Sequence, residues 1–156
     1  MNGTAYLLAL LIGAIAGLRT FTAPAVVAWA VHLGRLDLTG SWLAFLGNGW
    51  VRWILTVMLF VELVVDQLPR TASRTVPGQF VVRLLSGALS GAAVGAAADH
   101  ALPGALAGLG GAVIGTLGGK WARARLARAL HNDHAAALIE DAVAIGGALV
   151  VGFAGR

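Results

Sequence analysis

The chain has 156 residues, 58% of them hydrophobic and 12% charged, with 11 Lys and Arg against 7 Asp and Glu and no cysteine. A soluble domain carries about 25% charged residues, so this composition and a mean hydropathy of +0.83 exclude an ordinary soluble enzyme and fit a chain solvated by lipid. Without cysteine there is no disulfide framework or thiolate metal site; the net charge of +4 sits in short segments between apolar runs, a membrane-topology signal and not a nucleic-acid footprint.

A spanning helix needs about 20 apolar residues to cross roughly 30 Å of hydrocarbon. The first candidate, from about Ala5 to Leu33, is too long for one perpendicular helix and is interrupted by Arg19, Thr20, Thr22 and Pro24. Met1 to Thr4 carries no positive n-region, so this helix is expected to remain in the mature protein. Pro24 lacks an N–H and crowds the carbonyl of Thr20, which predicts a kink or break at Arg19–Pro24. Leu36 to Gly49, with Trp42, Phe45 and Leu46, is too short to span and is expected to lie at the interface or re-enter. The second span runs from about Trp50 to Leu68 and stops before Pro69. The third runs from about Phe80 to Ala98, with its turn at Asp99–Pro103. The fourth, from about Gly104 to Trp121, continues into a basic amphipathic stretch ending near Leu130, suited to anionic lipid. The fifth covers about Ala135 to Ala154. The expected fold is all-α: a polytopic transmembrane helix bundle of about five glycine-rich spans, forming one integral membrane domain over residues 1–156.

Basic residues set the orientation. Arg70, Arg74 and Arg83 near one connection and Lys120, Arg123, Arg125 and Arg128 near another would share a side with five spans, against Arg35, Arg52 and Arg156 opposite. This places the N-terminus and both basic loops in the cytoplasm. Trp42, Trp50 and Trp53 then suit an outer aromatic belt and Trp121 an inner one.

Glycines recur at helical spacing: Gly13 and Gly17; Gly87, Gly91 and Gly95; Gly104, Gly108, Gly111, Gly115 and Gly119. Small residues four apart let helix backbones approach closely in lipid, either within the chain or at a subunit interface. Leu10–Gly17 also resembles Leu84–Gly91, and Val61–Leu63 loosely echoes Ile139–Asp141. Repeated halves occur in transporters, although low-complexity sequence also produces such matches.

Three motifs, Gly17–Ala25, Glu62–Thr75 and Ile139–Gly147, resemble in sequence and order the bacterial membrane family catalogued as domain of unknown function 4126. The resemblance covers nearly the whole chain. It implies a multi-pass membrane fold and brings no established activity, cofactor or substrate.

Ionisable groups inside apolar spans cost about 2.5–3.5 kcal/mol each on insertion scales and mark function by default. Arg19 stands roughly 21 Å along the first span, at 1.5 Å per residue. With Thr20, Thr22 and freed backbone it is a candidate anion site; the other reading pairs it with a carboxylate inside the bundle. Glu62 and Asp66, four apart, share a helix face, and Glu140 and Asp141 stand near the start of the last helix. These four are expected to converge with Arg70, Arg74, Arg123 and Arg125, as an ion-pair network, a proton or cation relay, or a Mg²⁺ site for phosphate chemistry. Arg70, Ser73 and Arg74 suit phosphate or lipid headgroups, or form a solvated positive loop. His32, His100, His131 and His134 fall at span ends and read as interfacial.

No nucleophile–base pairing, phosphate loop or zinc spacing is visible, so no catalytic residue, resident metal or cofactor is expected. The leading expectation is a small transporter or channel of the bacterial inner membrane, for an ion or a small solute, anionic solutes included. A structural or lipid-interacting membrane protein comes second, and a metal-dependent membrane enzyme third. The expected partners are the lipid bilayer and further copies of the chain as a homo-oligomer, not nucleic acid.

Overall fold

The computed structural model describes residues 3–66 and 76–154. Helices α1 (Gly3–Leu18) and α2 (Thr22–His32) are followed by a short 3₁₀ helix (Trp42–Gly47), then α3 (Gly49–Val65), α4 (Pro77–Ala96), α5 (Ala101–Leu130) and α6 (Asp133–Ala154). No strand occurs among the described residues. By length and apolarity α4, α5 and α6 each suffice to cross a membrane, whereas α1 and α2 are shorter apolar helices.

Local chemistry sets most boundaries. Ser41 Oγ accepts from Leu43 N at 3.2 Å and starts the 3₁₀ helix, and Asn48 Oδ1 accepts from Trp50 N at 3.1 Å and starts α3. Pro77 occupies the first turn of α4, where its missing N–H has no intrahelical partner to lose. His131 is left-handed at φ 51° and ends α5; Asn132 Oδ1 then takes the first free N–H groups of α6, His134 N at 3.0 Å and Ala135 N at 3.2 Å.

The centre of the bundle is a glycine seam in which α1 and α4 both lie on α5. Going along α1, Gly13 meets Gly108 and Gly17 meets Ala112, Gly115 and Thr116, so α1 runs parallel to α5. Going along α4, Gly87 meets Gly108 and Ala112, Gly91 meets Gly104 and Gly108, and Gly95 meets Gly104, so α4 runs antiparallel. A Cβ on Gly13, Gly17, Gly91 or Gly108 would overlap backbone of the neighbouring helix, the close approach that small residues permit in lipid. The matching segments Leu10–Gly17 and Leu84–Gly91 therefore do the same packing work, from antiparallel helices, against one partner.

The first apolar run is not one kinked span. The chain breaks after Leu18 and α2 turns back: Thr20 and Phe21 meet Glu62 of α3, whereas Trp29 further along reaches Thr56 and Trp53, nearer the start of α3. Gly152, near the end of α6, packs on Val26 and Ala30. Helices α1 and α2, about 24 and 16 Å long at 1.5 Å per residue, thus form a hairpin whose tip, Arg19–Phe21, lies inside the bundle. The physical reason sits at Pro24, in the first turn of α2. It cannot donate to the carbonyl of Thr20, and that oxygen accepts from Ser86 Oγ instead, so no continuous helix is regained.

With this hairpin, the start of α1 and the basic end of α5 do not share an end of the bundle, as five alternating spans would require. The N-terminal start of α1 lies at the same end as the 3₁₀ helix, the α4–α5 turn and the end of α6. The basic end of α5 and the start of α6 lie opposite, so the N-terminus and that connection are at different ends of the bundle. The Leu36–Gly49 segment caps the first end: Leu36, Leu38, Leu43 and Leu46 are buried beneath it while Trp42 stays 70% exposed. Trp50, Trp53 and, at the other end, Trp121 are also exposed.

Candidate functional site

A helix that stops inside a bundle leaves carbonyls at its C-terminal end and N–H groups at the next N-terminal end without partners. The hairpin tip meets both needs with side chains from other helices. Arg83 Nη1 donates to Gly17 O at 2.9 Å and Leu18 O at 2.7 Å, and Thr116 Oγ1 donates to Gly17 O at 3.2 Å. A guanidinium there also faces the negative end of the α1 dipole. On the other side Phe21 offers no capping side chain to α2. Glu62 does so from α3, with Oε1 accepting from Thr20 N at 2.6 Å and Oε2 from Phe21 N at 2.9 Å. Arg83 Nη2 stands 3.9 Å from Glu62 Oε1, which joins the two caps.

Arg19 occupies the tip itself and is fully buried. Its Nη1 donates to Asp66 Oδ2 and its Nη2 to Asp141 Oδ1, so one guanidinium ties the hairpin to the end of α3 and to the third turn of α6. Arg19 Nε, Thr22 Oγ1 and, on α4, Ser90 Oγ are buried without hydrogen-bond partners among the described residues. A cleft of about 330 Å³ adjoins the tip, with Thr20, Glu62, Asp66 and Arg83 at its polar floor.

Of the residues singled out in the sequence, Arg19, Thr20, Glu62, Asp66 and Asp141 come together. Thr22 is at the tip, but its hydroxyl makes no bond. Glu140 faces Arg123, whose Nη1 lies 3.8 Å from its Oε2 and whose Nη2 pairs with Asp133 at 3.0 Å. Arg125 does not join the carboxylates; its guanidinium lies 3.9 Å from the Trp121 ring centroid. Arg70, Ser73 and Arg74 lie outside the described residues. No group of three or more His, Asp or Glu is placed to hold a metal ion among the described residues.

In sequence Arg83 reads only as loop charge, whereas in the structure it is 3% exposed and caps α1. The signal was present: Arg83 lies within the expected third span, with Ser86 and Ser90 three and seven residues on, one polar stripe on an apolar helix.

Fold and site together describe a helical protein with membrane-compatible apolar helices and a charged hairpin tip buried among them. The chain belongs to the family described as Domain of unknown function (DUF4126), which matches residues 6–154. No curated protein and no solved structure matches it significantly.

Proposed function

We propose that the protein is a small membrane transporter or channel, with the α1–α2 hairpin as its gate and the adjoining cleft as the access to it. The observation that carries this reading is the position of the tip. Broken helices whose free ends meet at membrane depth are tolerated where they are buried in protein or line a cavity, and transporters place substrate at such ends. Here both ends are occupied by the protein's own charges, Glu62 at the α2 start and Arg83 at the α1 end, next to a cleft. In this reading the tip moves by exchange of its ion pairs, as a two-position element that both the cleft and the pairs bias. The basic residues of the α5 extension support a cytoplasmic location for that end; the cleft then faces the cytoplasmic half, with the first and last described residues at the opposite end of the bundle.

The second reading is structural, with the charges only holding helices in register. The full burial of Arg19 and the pairing of both its terminal nitrogens favour it. Flux of small ions and solutes in proteoliposomes separates the two. Gating predicts that Arg19→Ala and Glu62→Gln change the flux, as leak or as block. If both variants conduct as wild type does and merely unfold more easily, the transport reading falls.

A further inference from the structure

The cleft beside the tip has walls unlike its floor. Met58, Val61 and Val65, spaced along one face of α3, are 41%, 53% and 43% exposed, and Val82 of α4 is 46% exposed. Helix α3 has no buried residue and packs chiefly on α2 and the 3₁₀ helix, not on α4. The cleft therefore opens sideways between α3 and α4, toward the surface that meets lipid in a membrane. At the floor Glu62 is spent on two backbone N–H groups. Asp66 is not: Oδ2 accepts from Arg19, whereas Oδ1 has no hydrogen-bond partner among the described residues, on a side chain 13% exposed at the cleft.

We infer that this cleft binds a lipophilic organic ammonium ion, taken laterally from the bilayer, with its apolar part against Met58, Val61, Val65 and Val82 and its cationic head on Asp66 Oδ1. Charge and shape choose the ligand together. An anion brought to the same place meets two carboxylates, Glu62 and Asp66, against one guanidinium, Arg83, whose Nη1 is engaged by Gly17 O and Leu18 O; a neutral chain leaves the Asp66 Oδ1 unmatched in an apolar setting, a costly outcome. An inorganic cation gains nothing from walls of valine and methionine. The volume of about 330 Å³ is at the small end of ligand sites, so the fit is to a short-chain amine and not to a whole phospholipid. An ammonium on Asp66 shares that carboxylate with Arg19, so occupancy weakens the tie between the tip and α3. This consequence rests on the gating reading above; the binding itself does not.

The test is equilibrium dialysis of radiolabelled octylammonium against the protein in nanodiscs, with empty nanodiscs subtracted and octanol and octanoate as probes of equal chain length. Saturable binding of octylammonium alone is expected, weakened at least tenfold by Asp66→Asn. Because Asp66→Asn also removes a partner of Arg19, Val61→Trp is the second variant; it fills the cleft from an exposed position, leaves every ion pair in place, and is expected to abolish binding with the unfolding midpoint unchanged. Octylammonium retention no greater than in empty nanodiscs overturns the inference. So does equal binding of the three probes, or binding that survives Val61→Trp. Selective binding without any flux overturns gating and leaves this site standing, whereas flux with no ammonium binding does the reverse.

Discussion

Replacing Arg19 by methionine keeps much of the side-chain length and removes two buried charge-assisted hydrogen bonds. Arg19 is fully buried, and the side chains of Asp66 and Asp141 are 13% and 11% exposed. Bonds to charged groups contribute about 1.5–3 kcal/mol each, so losing both predicts a cost of about 3–6 kcal/mol. Breaking a buried pair from one side costs about 3–5 kcal/mol, because the partner loses its compensating charge; here Asp66 and Asp141 both lose the Arg19 guanidinium. Neutralising the whole group behaves differently, since replacing all members of a buried ionic cluster is often close to neutral. Arg19→Met combined with Asp66→Asn and Asp141→Asn is therefore expected to regain most of the loss. The assay is reversible unfolding in mixed micelles by added SDS, followed by helical circular dichroism. A loss below about 1 kcal/mol for Arg19→Met would refute the burial argument. A triple variant as unstable as the single one would show that stranded charge is not the cause.

The glycine seam predicts a sharp positional contrast. Gly108→Ala is expected to lower the unfolding midpoint markedly, because its new Cβ overlaps the Gly87 backbone; Gly110→Ala, with open space around it, is expected to be neutral or to stabilise by up to about 1 kcal/mol through helix propensity, and equal effects would refute the seam. Thr116→Val deletes one of the donors to Gly17 O but leaves Arg83 on the same oxygen, so the same unfolding assay is expected to record a loss of only about 0.6 kcal/mol, typical for such bonds in membranes, and a loss several times larger would contradict the shared cap. In the exposed loop after α2, the Thr39 hydroxyl and then its backbone N–H hold the Asp37 carboxyl below its ordinary value of 3.8. A lowered folded value means that the loop contact stabilises at neutral pH and is lost as pH falls through that value; carboxyl-carbon NMR should show Asp37 titrating below 3.8 and Thr39→Val moving it upward, and a wild-type group titrating at or above 3.8 would contradict this.

Much of the fold was legible in residue order. Apolar run lengths located the helices, and Arg19 with Pro24 marked the break. The glycine spacing marked the seam, since Gly13, Gly17, Gly87 and Gly91 all meet α5. The direction taken after the break was not legible. A kinked span and a hairpin have the same hydropathy, and only the packing of α2 against α3 and α6 separates them; with that direction went the end of the bundle that the start of α1 shares with the other helix ends.

The site divides in the same way. That Arg19, Glu62, Asp66 and Asp141 had to find partners follows from the sequence, because an isolated charge among apolar helices is too costly to leave unpaired. Which partners they take does not follow, since every carboxylate within reach of a helix end satisfies the same requirement. The tertiary structure decided that Arg19 takes Asp66 and Asp141, that Glu62 caps α2 in place of a local side chain, and that Glu140 goes to Arg123. It also turned Arg83 from a loop charge into the cap of α1, because the carbonyls that need a cation exist only once the chain has broken at Leu18 and folded back. Composition and periodicity determine that the chain is helical and suited to lipid; the pairing of a few buried charges depends on which helix ends meet, which is a property of the packed bundle alone.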